Sequence, residues 1–284
     1  MPLLTLQELE QATPLFRGTV GNALARGAMH LLSVDRANAL YDRNTRFHGP
    51  DFAHSVLREL GVEYDVYATS SSVLAQWNVL HSDTPFITLS NHPYGGLDGL
   101  ILADLFGHLC PDYKLMVNKL LSRIEPLSDL FIAVTPIGAE PSEPTAESVA
   151  GVRQVIAHLR QGGALGLFPA GAVSNLRLCP YGVHDREWPL PIVRLIARAR
   201  VPIVPVCFLD GNSWFYYALG LIDWRVRLLR LPAEFFNKCG RPVRLVIGAT
   251  ISVEEQHEYL STHTIGEFGL WLRSKGQGMM TMNK

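Results

Sequence analysis

Charge is scarce in this chain of 284 residues: Asp, Glu, Lys and Arg make up 18% of it, below the ~25% of an ordinary soluble domain, while apolar residues reach 48%. That balance excludes a disordered chain. It also leaves apolar surface that has to meet something other than water. Long apolar runs are missing too. The richest stretch, Val201 to Ile222, is broken by Pro202, Pro205, Asp210, Gly211, Asn212 and Ser213, so no membrane-spanning helix is expected. Cysteine is rare, and Cys110, Cys179, Cys207 and Cys239 form no C-x-x-C. Their spacing excludes a zinc knuckle or a disulfide framework and fits isolated thiols in a reducing cytosol. The opening MPLLTLQELEQ carries Glu8 and Glu10 where a secretory signal would carry positive charge. There is no G-x-S-x-G, no G-x-G-x-x-G, no P-loop and no H-E-x-x-H. A serine hydrolase, a nucleotide site and a zinc hydrolase each lose their signature. His184-Asp185 reads as decoration of a polar loop, and neither a metal nor a cofactor is expected.

What the chain does have is alternation. Residues 1–60 read as an N-terminal helical extension, with Thr13-Pro14 as a cap and first turn. Asp51 opens a helix DFAHSVLREL that Gly61 ends. VEYDVY (62–67) alternates like a half-buried strand. Buried strands are then expected in PFITLS (85–90), LFIAV (130–134), ALGLF (164–168), IVPVCF (203–208) and RPVRLVIGATIS (241–252). Between them lie the helical segments GLDGLILADLFGHL, AESVAGVRQVIAHLRQ and LPIVRLIARAR; the second puts Val149, Val152, Val155, Ile156 and Leu159 on one face. Ser252 and Glu255 predict a capping box on a closing helix. The fold expected over 61–284 is α/β, a mostly parallel sheet flanked by helices, with sites at the carboxyl ends of strands.

Two strand ends are chemically unusual. In Ser90-Asn91-His92-Pro93-Tyr94-Gly95-Gly96-Leu97-Asp98-Gly99 a histidine leaves a strand, two glycines let the backbone bend, and an aspartate sits one turn into the next helix. A carboxylate on one imidazole nitrogen fixes the tautomer and frees the other nitrogen to take a proton from a hydroxyl. A satisfied loop or helix cap explains the same residues without chemistry. The second strand end is Phe168-Pro169-Ala170-Gly171-Ala172-Val173-Ser174-Asn175, where Gly171 can present backbone N–H groups to an oxyanion. Alone, it is an ordinary strand-to-loop turn.

Together these segments resemble the glycerolipid and lysophospholipid acyltransferases. SNHPYGGLDG is similar to their H-x-x-x-x-D signature, FPAGAVS to F-P-E-G-T-R-S, and VPIVPV (201–206) to their closing proline-bounded strand. Order and spacing agree over roughly residues 60–255. NHPYGGLDG, the second motif and the G-N-S within Asp210–Ser213 look most like the bacterial branch often labelled hemolysin. Two departures stand out. Five residues separate His92 from Asp98 where the family has four, and Ala170 and Val173 replace the family's glutamate and phosphate-holding arginine.

The resemblance implies a 1-acylglycerol-phosphate or lysophospholipid O-acyltransferase-like enzyme of lipid biosynthesis. His92 would be its general base and Asp98 its orienting partner. Substrate contacts would fall to Asn91, Tyr94, Gly95, Gly96, Phe168, Pro169, Gly171 and Ser174. Lys119, Arg123 and Arg177 are candidates to replace the missing arginine, or else ordinary surface charges. The donor would be an acyl thioester on acyl carrier protein or coenzyme A, used as a co-substrate, and the acceptor a lyso-lipid. Because a valine offers nothing to an anion, a weakly basic pocket and a lyso-ornithine or lyso-glycine acceptor are the alternative to a lysophospholipid. A thioesterase and a non-catalytic membrane-binding protein are the rival readings.

Net charge is −1, yet Arg186 to Arg244 holds ten basic residues against four acidic. There Trp214, Phe215, Tyr216, Tyr217 and Trp224 neighbour Arg225, Arg227 and Arg230. This mixture suits an anionic membrane surface, so a cytoplasmic protein peripheral on the inner face of the cell membrane is expected. Aromatic and basic residues also bind single-stranded nucleic acid, a partner not expected here. The plain reading of RVRLLRLP is a core strand with outward arginines.

Overall fold

Each central strand segment is apolar on both faces, so it is stable only where helices cover it from two sides. The computed structural model describes residues 18–71, 73, 84–134, 146–179 and 181–281, and it contains that arrangement. Three helices come first: α1 (Gly18–Leu31), α2 (Val34–Asn44) and α3 (Gly49–Glu59). After β1 (Tyr64–Ala68) and β2 (Ile87–Ser90) follow α4 (Gly96–Leu109), β3 (Lys114–Asn118), β4 (Phe131–Val134), α5 (Ala146–Arg160) and β5 (Leu165–Leu167). A hairpin of β6 (Asn175–Leu178) and β7 (Tyr181–His184) leads to α6 (Leu190–Ala199) and β8 (Ile203–Phe208). Next come α7 (Trp214–Ile222), α8 (Trp224–Leu229), α9 (Leu231–Phe236), β9 (Val243–Ile247), α10 (Val253–Thr262) and α11 (Ile265–Thr281).

The fold is α/β. One seven-stranded sheet runs in the order β1-β9-β8-β2-β5-β3-β4 and is parallel except where β9 meets β8. Helices α3 and α4 close one face over Phe52, Val56, Ile101, Phe106, Tyr113 and Val204. On the other, α5, α6 and α11 enclose Ile87, Leu89, Val155, Ile196, Ile203 and Phe268. Truncating a fully buried residue such as Ile101 to alanine costs about 2–5 kcal/mol in cores of this kind.

Several local expectations change. Among the described residues the edge strand β1 pairs only with β9, and Val66 and Tyr67 face water instead of alternating. β3 and the β6–β7 hairpin were hidden by polar residues at their ends. RVRLLRLP is not a strand: helix α8 and the start of α9 take it, with Leu228 and Leu229 outside and Leu231 packed inward. The capping box on α10 keeps one half, Glu255 N–H donating to Ser252 Oγ at 3.0 Å, while the Glu255 carboxylate faces Lys275. On α5, Val155 and Leu159 are buried but Val152 is exposed. The Thr13-Pro14 turn and the side chain of Val149 lie outside the described residues.

Candidate active site

The two unusual strand ends meet because β2 and β5 are neighbours, with Leu89 level with Leu167. Two residues past β2, the His92 ring stacks on Phe168 at the end of β5, centroids 4.2 Å apart and planes tilted by 32°. Gly95, at φ 89°, then turns the chain into α4. An L side chain at that φ is strained, and glycine is not. This turn absorbs the additional residue in the spacing: His92 Nδ1 lies 3.0 Å from Asp98 Oδ2. Gly96 is needed for a different reason, since a Cβ there would sit 2.4 Å from Phe235 Cζ.

Asp98 is wholly buried but not undersolvated. The N–H groups of Tyr94 and Gly95 donate to Oδ2 at 3.1 and 3.2 Å, and Gly99 N–H donates to Oδ1 at 2.9 Å. These amides and the positive end of α4 hold the carboxylate charge where water is excluded. Burial opposes charging of His92, but the charge and hydrogen bond of Asp98, aided by Asp185, outweigh it and raise the histidine's pKa above its ordinary 6.5. The ring is still 18% exposed, enough for a small group to reach it.

The main chain around His92 is held on several sides. His92 N–H donates to Asp185 Oδ1 at 3.4 Å, and its carbonyl accepts from Ser174 N–H at 2.9 Å. The Ser174 hydroxyl donates to the same Asp185 oxygen. Burial raises the pKa of Asp185, and the Ser174 and His92 donors act against that. Asn91 exchanges two hydrogen bonds with the backbone of Phe208. The carbonyl of Pro93 accepts from Tyr217 Oη, and that of Tyr94 from Asn212 Nδ2. The chain just after the third motif, from Phe208 to Tyr217, thus braces the first. His184-Asp185 had looked like surface decoration, but Asp185 is a structural support of the histidine.

His92 opens on a cavity of about 630 Å³ with an overwhelmingly apolar wall. Leu40, Tyr41, Phe52 and Val56 of the N-terminal helices line it with Leu100, Leu115, Val117, Phe131, Phe168, Leu231 and Phe235. Gly95, Gly96, Gly171 and Arg123 face the same space. Asn91, Tyr94, Pro169 and Ser174 do not, and the first, second and fourth support the turn instead. Lys119 is exposed outside the cavity. Arg177 lies on a separate cavity of about 420 Å³ across the wall made by residues 91–92 and 185–186. Gly171 N–H is already engaged, donating to Phe168 O at 2.9 Å. Arg186 is the cavity residue that spacing did not reveal. It comes from beyond the hairpin, and only the pairing of β6 with β7 returns it to the loop after β5. Two arginines, Arg123 and Arg186, face this otherwise apolar pocket.

An apolar shelf adjoins this cavity. Trp214, Phe215, Leu221, Ile222, Trp224 and Leu229 are all more than half exposed on α7 and α8, and α9 continues from them to the cavity wall. The basic half of that expectation fails where it is described. Arg227 is buried with its guanidinium donating to the carbonyls of Ser174 and Val173, and Arg230 lies over Phe215 with Glu234 nearby. Burying an arginine requires hydrogen-bonded partners, and these carbonyls supply them. No helix among the described residues is long and apolar enough to cross a membrane.

Over 230 residues the chain is 25% identical to a lyso-glycine lipid O-acyltransferase of Bacteroides thetaiotaomicron, covering 78% of each chain. A lyso-glycine lipid O-acyltransferase of Phocaeicola vulgatus is also 25% identical, across 78% of this chain and 76% of the relative. The match to the acyltransferase family extends over residues 10–271, from the N-terminal helices that wall the cavity to the closing helix α11, and the chain is an acyltransferase of that family.

Proposed function

We propose that the protein moves a fatty acyl group from an acyl thioester, carried by acyl carrier protein or coenzyme A, to the hydroxyl of a glycine-headed lyso-lipid. One observation carries the reading: a His–Asp pair, 3.0 Å apart, at the head of an apolar cavity of about 630 Å³. An ionised carboxylate only accepts, so Nδ1–H of His92 donates to Asp98 and Nε2 is free to act as base. Nε2 takes the hydroxyl proton as the acceptor oxygen attacks the thioester carbon. The tetrahedral intermediate collapses with breakage of the C–S bond, and the imidazolium returns the proton to the departing thiolate. The oxyanion falls to an amide of the 170–172 loop other than that of Gly171, which is occupied. No acyl-enzyme is required, because the acceptor is the nucleophile.

The apolar wall suits fatty chains, and the exposed aromatic shelf beside it suits docking on the inner face of a membrane that would supply the lyso-lipid. With Arg227 turned inward and Arg230 lying over Phe215 beside Glu234, burial of Trp214, Phe215 and Ile222 carries the binding more than charge does. The same dyad would activate water in a thioesterase; membership of the acyltransferase family favours transfer. The test incubates purified protein with one acyl thioester and a panel of lyso-glycine, lyso-ornithine and lysophosphatidate acceptors, then identifies products by mass. Acylated glycine lipid is the expected product. Free fatty acid alone, or acylated lysophosphatidate as the main product, would defeat the reading.

A further inference from the structure

Val173, where FPAGAVS departs from the arginine of the signature it resembles, does not line the cavity. It is buried against Tyr216 and Tyr217, and its Cγ2 lies 3.3 Å from where a Cβ of Gly95 would stand. Yet the loop does hold a guanidinium. Arg186 donates from Nε to the carbonyl of Ala170 at 2.7 Å and from Nη2 to that of Gly171 at 3.3 Å. Both partners are neutral oxygens, which orient the group without cancelling its charge. They use two of its five N–H donors. The loop that holds it is the one whose Phe168 stacks on His92, and Arg186, Gly171 and His92 face one cavity.

We infer that Arg186 receives the negatively charged headgroup of the acceptor and thereby decides which lyso-lipids are used. The inference rests on the reading of the chain as a lyso-lipid acyltransferase and specifies its substrate. A guanidinium fixed along one edge can still meet a carboxylate through its remaining donors, in a mostly apolar wall that strengthens the contact. Glycine attached to a lipid through its nitrogen keeps a carboxylate. Attached through its carboxyl group it keeps an ammonium, which Arg186 would repel. The acceptor is therefore of the N-linked kind, with its charged end at the 170–171 loop and its apolar body along the cavity.

The experiment measures binding without a thioester donor, so that it does not depend on transfer. An N-(3-hydroxyacyl)glycine and its methyl ester, equal in chain length, are titrated by calorimetry into the wild-type protein, Arg186→Met and Arg186→Lys. Wild type should prefer the carboxylate by about 10–100-fold, the range for a hydrogen bond to a charged group. Arg186→Met should bring that ratio close to one by weakening the carboxylate arm while ester binding stays the same. Arg186→Lys keeps the charge but loses the planar fork and should retain part of the preference. Three results would overturn the inference: no preference in wild type, an undiminished preference in Arg186→Met, or equal loss of both ligands in the variants, which marks a mere loop support. Transfer by wild type is scored separately. A preserved preference with no acylated product would remove the enzymatic reading and leave the binding role of Arg186 standing.

Discussion

Helix α4 carries a histidine–aspartate arrangement near each end, and the two differ in everything but distance. At its N-terminus His92 and Asp98 are 3.0 Å apart. In its C-terminal half Asp104 lies 3.3 Å from His54 and 3.1 Å from His108, with Tyr64 Oη donating to it at 2.9 Å and Asp51 beyond His108. The second group is the larger, yet its histidines are largely exposed at 59% and 45%, and none of its members faces either cavity. The first has a wholly buried carboxylate fed by three amides, a ring backed by Phe168, and an apolar chamber ahead of it. Pairing a histidine with an aspartate is common surface chemistry. A general base needs more, an environment in which water competes little for the proton and one nitrogen faces a space able to hold a substrate.

The comparison can be broken most directly at the histidine. His92→Ala should lower turnover about 10²–10⁴-fold, the usual loss of a general base, with an unchanged circular dichroism spectrum. Near-normal transfer would make the two clusters equivalent. Asp98→Asn should cost less, about 10²-fold at the lower end of the same range. It should also move the acid limb of the kcat/KM profile to lower pH. Burial pulls the His92 pKa down and Asp98 raises it, so without the carboxylate the ring becomes neutral at lower pH. An acid limb that stays in place would mean that His92 is not the titrating base. In the second cluster Asp104→Asn should leave turnover near wild type. Its cost is in stability, about 1–3 kcal/mol for a buried acceptor whose partners lose their charge match, read as a lower melting temperature.

The difference between the clusters was not visible in the chain. What spacing did expose was the motifs at strands: SNHPYGGLDG, FPAGAVS and VPIVPV (201–206) fall on or just past three adjacent strands. Apolar strands of four to six residues between amphipathic helices are a local signal, so the parallel sheet was legible. Arg186 and Asp185 were not, because a two-stranded hairpin brings them back to the motifs and its strands are too polar to register as strands. The arginines of α8 misled for a related reason. Charge in a sequence implies water, but Arg227 finds two backbone carbonyls inside, and no pattern in RVRLLRLP announces them. Asn91, Tyr94 and Ser174 make hydrogen bonds around the turn that carries His92, and those partners too lie far off in the chain or in its backbone, where spacing does not reach.

The smallest effect belongs to His108 and gives the comparison its sharpest form. Burial of its ring opposes charging, but the Asp104 carbonyl accepts from Nδ1 at 2.7 Å and Asp51 lies 3.1 Å from Nε2. Only the imidazolium has a proton on both nitrogens, so these partners raise the pKa above its ordinary 6.5. A histidine whose folded pKa is raised contributes stability that is fully present below the unfolded value and is lost as pH rises through the folded one. His108→Ala should therefore lower the melting temperature at about pH 5.5 and leave it unchanged at about pH 8.5, by less than about 1 kcal/mol because the pairs are exposed. The same direction of shift at His92 has the opposite reading in turnover, since a general base works only when neutral and activity rises through its pKa. The melting temperatures and the kcat/KM profile of His108→Ala should thus separate: the first dependent on pH, the second superimposable on wild type. A displaced acid limb in that variant would mean that charge at one end of α4 reaches the other, and the two clusters would then be one titrating unit.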